Sequence, residues 1–170
     1  MQGFRLTRDV LGGYYPVADT EEEVATMSTT PESTVEAYLA QVRPDAVGAV
    51  RQLDRIVRET ESRLEVSVRY GILMYALDGD WRHWVCAVNA TSKVVVLRFL
   101  YGVILDDPLG VLRQGSAELC NWDFAPEDLI EETAVAGYVS EAVARHAYFR
   151  ENAVAINVES KKKAAARKRK

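Results

Sequence analysis

VVVLRFLYGVILDDPLGVLRQG, residues 94 to 115, decides how the rest of this chain has to fold. Read as an extended segment, its first half is apolar on both sides. Val95, Leu97, Phe99 and Tyr101 fall on one face and Val94, Val96 and Leu100 on the other, broken only by Arg98. Such a strand belongs in the middle of a sheet with both faces covered. The second half turns through Asp106, Asp107, Pro108 and Gly110, and two readings of that corner are open. An aspartate before proline is a turn and helix-start device: its carboxylate accepts backbone N–H groups while proline fixes φ. This predicts a short helix over 108–113 covering the strand end. Alternatively, Asp107 places a carboxylate beside Arg98 and His83 in a small polar site.

Working outward, EVSVRY alternates Val66, Val68 and Tyr70 against Ser67 and Arg69. Gly71 leads into a further strand, Ile72 to Leu77. Asp78-Gly79-Asp80 is a tight-turn signal, so WRHWVCAV is expected to return as a strand. A last strand is expected over Ala117 to Phe124. Before the strands, Ser33-Thr34-Val35-Glu36 has the spacing of a capping box. Val35, Tyr38, Leu39 and Val42 then trace one stripe of a helix. Pro44 restarts the chain as the first residue of a second helix reaching about Arg63, with Val50, Leu53 and Val57 inward and Asp54, Glu59, Glu61 and four arginines on a solvated face. A closing helix is read from Pro126 to about His146. Turns this short require antiparallel neighbours, so the expected fold is α+β. Two N-terminal helices precede an antiparallel meander sheet of about five strands, with the C-terminal helix packed on it in two layers.

A chain of 170 residues, 48% hydrophobic, buries one core and hardly two. Residues 1–30 read as a weakly ordered leader, 31–150 as the domain and 151–170 as a mobile tail. Neither a secretory signal nor a membrane span is legible, which points to the cytoplasm. Cys86 and Cys120 lie in apolar runs without metal spacing and read as reduced core thiols. Net charge is −4, but the last ten residues, KKKAAARKRK, carry seven bases. The preceding 160 therefore hold 14 Lys and Arg against 25 acids, or −11. Such a tail suits weak, sequence-independent contact with nucleic acid. Phosphate-loop, dinucleotide-binding, serine-hydrolase and zinc-protease motifs are all missing, which argues against a catalytic role without excluding one.

Arg98 draws attention because a guanidinium in an apolar strand must reach water or find an anion. One reading pairs it with Asp78, Asp80 or Asp107; the other gives it a small anionic ligand held against Trp81, His83 and Tyr75. Glu127, Asp128, Glu131 and Glu132 crowd the expected start of the closing helix, where acids suit the helix dipole. The alternative for that cluster is a weak metal site.

Thr34-Val35, Tyr38-Leu39, Tyr70-Gly71, then Phe99, Gly102, Leu105, Asp107, Pro108, Gly110 and Leu112 together resemble the YdhG-like family of small bacterial proteins, a domain of unknown function. The resemblance spans about residues 33–145, and with no catalytic motif legible the expected role is non-catalytic binding or carriage; the doubly apolar strand points to a dimer only where no helix covers its second face, so monomer and homodimer are both open. One branch of the family is described as frataxin-like, which implies iron as a cargo and an iron-utilising protein as a partner. Three family positions differ: Leu73 or Met74 stands where proline is usual, Val94 where histidine often is, and Ala117 where lysine is.

Overall fold

Thr30, three residues ahead of the expected capping box, opens the first helix. Its Oγ1 accepts from the Ser33 N–H at 3.2 Å and Pro31 takes the first helical position, giving helix α1, Pro31–Leu39. Glu36, freed from capping, pairs with Arg51 of the next helix. The computed structural model describes residues 30–167 together with the backbone of 6–8 and 14–16. After a 3-10 turn at Pro44–Ala46 comes α2, Val47–Thr60, which buries Val50, Leu53, Ile56 and Val57. It also buries Asp54, 3% exposed, which the sequence pattern assigns to the solvated face.

Leu6–Arg8 (β1) and Tyr14–Pro16 (β2) form a two-stranded antiparallel ribbon. The remainder of the expected leader lies outside the described residues. Leu64–Arg69 (β3) and Ile72–Leu77 (β4) are joined by Tyr70-Gly71, whose φ values of 53° and 74° make the two-residue turn that matches strand twist. Asp78-Gly79 turns the chain again as expected. However, Trp81–His83 is a 3-10 turn, so the returning strand, β5, begins only at Cys86 and runs to Ala90. Asp80 causes the delay by capping that turn, its carboxylate accepting from the His83 N–H. Next comes Val95–Phe99 (β6). The expected helix over 108–113 does not form. A turn there leads into Arg113–Gln114 (β7), a short edge strand that pairs with Cys120–Phe124 (β8). The six-stranded antiparallel sheet has the order β3-β4-β5-β6-β8-β7, one strand more than the pattern predicted, with β6 central.

One sheet face, carrying Leu73, Tyr75, Cys86, Val88, Val95, Leu97 and Phe99, forms a single core with the helices. Burying each large side chain of this set contributes about 1.5–3 kcal/mol. Met74, Ala76, Ala87 and Val96 face away from the helices, yet they too are no more than 3% exposed. The apolar ribbon at the centre is thus shielded on both sides, as its composition demands.

The closing helix starts later and ends later than read. Helix α3 spans Glu132–Ala144, so Glu127 and Asp128 precede it and Glu131 is its N-cap residue. The chain bends at Arg145 and continues as α4, His146–Arg167. Phe149, Ile156 and Ser160 of α4 are buried, so residues expected as a mobile tail are helical to Arg167. The final basic residues 168–170 lie outside the described part.

Candidate functional site

The corner after β6 is held from three directions. Gly102 lies so close to β8 that a Cβ there would stand 2.4 Å from Cys120 Cβ and 2.9 Å from its backbone nitrogen, which excludes every other residue without a shift of the strand. Asp107 closes the following turn: its carboxylate accepts from the N–H groups of Val111 (2.9 Å) and Leu112 (3.0 Å), and Gly110 supplies the positive φ of 65°. The Tyr138 hydroxyl of α3 donates to the same carboxylate at 2.6 Å. Burial, then the Asp107 carboxylate, pushes the Tyr138 hydroxyl up to about 12. Burial acts to raise Asp107, but donation from Tyr138 and the turn N–H groups outweighs it and holds the carboxyl below its ordinary range. Arg145, at the α3–α4 bend, donates to the Ile104 carbonyl at 2.6 Å and reaches Asp106 at 3.1 Å.

Between this corner and α4 lies a cavity of about 320 Å³. Gly102, Leu105, Asp107 and Leu112 form one wall; Ile156, Ser160 and Lys163 of α4 form the other. Lys163 is paired at 2.7 Å with Glu159, also at the rim. Sequence reading missed the α4 wall. The signal was present in the spacing of Phe149, Ile156 and Ser160, but the charge of the tail obscured it.

Of the residues picked from sequence, only Asp107 lines this cavity. Tyr75 is fully buried on the helical face, its hydroxyl donating to Asp54 at 2.9 Å; Arg58 donates to the same carboxylate and to Glu32. Burial and then the Asp54 charge raise the Tyr75 hydroxyl well above its ordinary value. Trp81 lies under the Arg69 guanidinium, 4.4 Å from ring centroid to carbon. His83 Nδ1 faces Asp80 at 3.0 Å, and Asp80 also meets Arg150. Arg98 points away from Tyr75, since Met74, Ala87 and Arg98 form one cross-strand row and Tyr75, Cys86 and Phe99 the next. None of the expected aspartates pairs with it; among the described residues its buried Nε has no hydrogen-bond partner, and neither has the Oδ1 of the adjacent Asn121.

Two of the four acids named as metal candidates are engaged, each with a different group. Glu132 pairs with Arg55, and Asp128 accepts from the Ala125 N–H at 2.7 Å. Among the described residues no group of three or more His, Cys, Asp or Glu is placed to hold a metal ion. Nor is any helix there long and apolar enough to cross a membrane.

The class of protein is therefore a helix-covered antiparallel sheet with a small cavity at the end of its central strand. No family model matches the sequence, and no curated protein matches it. The fold is similar to the crystal structure of a DUF1801 family protein, YdhG, from Bacillus subtilis. The TM-score is 0.52 at 10% identity, over 71% of this chain and 91% of that one. At that identity the likeness shows a shared YdhG-like fold.

Proposed function

We propose that this chain is a YdhG-like binding or carrier protein of the cytoplasm, without catalysis of its own. Its ligand site is the cavity between the Gly102–Leu112 corner and α4. The observation that carries this reading is the coincidence of two sets of residues: Gly102, Leu105, Asp107 and Leu112, which resemble the family, are also one wall of the cavity. The walls suit a small molecule with an apolar body against Leu105, Leu112 and Ile156, with an anionic group reaching Lys163 at the rim. Asp107 serves there as a fixed wall. Its carboxylate is committed to two N–H groups and the Tyr138 hydroxyl, which leaves it unsuited to moving protons.

The test is a thermal-shift screen of small monocarboxylates, followed by calorimetry on wild type and on Ile156→Trp, which fills the cavity. A ligand at about 100 times its dissociation constant stabilises by about 2.7 kcal/mol, enough to shift the midpoint by several degrees. Ligands that stabilise the wild type and not the variant support the reading; equal shifts in both remove it. Iron carriage rests on the resemblance alone, and anaerobic ferrous titration decides it. Saturable heat that disappears when Glu127, Asp128, Glu131 and Glu132 are neutralised would put iron in place of the small molecule.

A further inference from the structure

A second depression, separate from the proposed ligand cavity, runs along α3. It encloses about 640 Å³ between Pro108 and Leu109 on one side and Ala134, Gly137 and Tyr138 of α3 on the other. The floor is smooth because Gly137 has open space where a Cβ would stand. Leu109 and Leu129, beside it, are 57% and 79% exposed. An apolar trough of this shape is what an amphipathic helix occupies, through side chains spaced three and four apart. Its rim is acidic: Asp106, Glu131 and Glu141 line it, and Glu131 makes no ion pair among the described residues.

The same chain carries a helix surface of matching chemistry. While Ile156 and Ser160 of α4 turn inward, Val154 and Val158 are 79% and 46% exposed. Val154, Val158, Lys161 and Ala165 follow at i, i+4, i+7 and i+11, one stripe on the outer side of α4. Lys161, within that stripe, and Lys162 beside it are exposed and make no ion pair among the described residues. The acidic body and basic end of the sequence, −11 against seven bases, thus coincide with an apolar trough and an apolar stripe.

From this complementarity we propose that the chain forms a homodimer in which the outer stripe of α4 of one copy docks into the α3 trough of the other, Lys161 facing Glu131. The exchange is reciprocal, so a two-fold axis closes it without leaving a sticky surface. Burying Val154, Val158, Leu109 and Leu129 supplies the apolar core, and the charges fix direction and steer approach. This proposal stands independently of the ligand cavity.

Sedimentation velocity on the full chain tests it, at about 50 mM and about 500 mM salt, conditions that differ in how strongly they screen exposed charges. The expected result is a dimer whose dissociation constant rises at least about tenfold in the higher salt. Glu131→Lys and Lys161→Glu should each weaken it by a similar factor, and the double variant should recover most of the loss. Val158→Asp should leave a monomer of unchanged circular dichroism. A chain that stays monomeric at all concentrations overturns the proposal, even if its basic end binds duplex DNA. So does a dimer indifferent to salt, to both charge reversals and to Val158→Asp.

Discussion

On the helical face of the sheet, Asp54 is 3% exposed and fully engaged, accepting from the Tyr75 hydroxyl and from Arg58, which ties α1 in through Glu32. On the opposite face, one register row from Tyr75, Arg98 has a buried Nε with no hydrogen-bond partner among the described residues and lies beside the equally unpaired Oδ1 of Asn121. Both faces exclude water from the apolar residues of the central strands, but only one has organised its charge. The difference teaches how each polar residue is tolerated. Asp54 survives burial through three converging donors, so removing it strands groups that depend on it. Arg98 is only half-buried and its Nε has no hydrogen-bond partner among the described residues, so little depends on it.

The strongest way to break this contrast is Asp54→Ala, which leaves the Tyr75 hydroxyl buried without its acceptor and Arg58 with Glu32 alone. Urea unfolding should show a loss of about 3–5 kcal/mol, the range for breaking a buried pair. Tyr75→Phe removes one donor while Arg58 still satisfies the carboxylate, and should cost about 1–2 kcal/mol. In a double-mutant cycle the two losses should fall well short of adding.

Asp107→Asn, at the corner, should cost about 1 kcal/mol near neutrality, since an exposed carboxylate is partly screened. Its folded pKa lies below the unfolded value of about 3.9, so the stabilisation is complete above about pH 5 and lost as pH falls through the folded value. Wild type and variant should therefore converge in acid. Tyr138 shows the opposite sign: raised to about 12, it contributes below its unfolded pKa and loses that contribution as pH climbs towards 12. The smallest effect belongs to Arg98→Met, expected within about 0.5 kcal/mol of wild type in either direction because it exchanges an unpaired polar atom for packing. A loss above about 2 kcal/mol in the same urea titration would show that Arg98 has a partner and that the two faces are alike.

Residue patterns carried much of this architecture. The alternation in Val66–Val68, the double-sided Val95–Phe99 and the Asp-Gly turn are local signals, and each produced the element it implies. Failures occurred where two local signals competed. Ser33-x-x-Glu36 looks like a capping box, yet Thr30 followed by Pro31 caps one turn earlier and leaves Glu36 to Arg51. Trp81–Val85 reads as strand, but capping of the 3-10 turn by Asp80 delays pairing. In the candidate site, Asp107 was legible as a turn aspartate. The five residues offered as a ligand site are instead spread over both sheet faces and two turns, because proximity in a strand pattern says nothing about which loops a later helix will cover.

By itself, the sequence determined the fold class, the central ribbon and the corner at Asp107, because side-chain period and turn chemistry are properties of neighbours along the chain. Only the tertiary structure decided that Asp54 is buried, that Arg98 lacks its aspartate and that α4 walls a cavity with the supposed tail. Those outcomes depend on pairs of residues roughly 20 to 60 positions apart. Their meeting is set by helix packing and strand register rather than by any local preference.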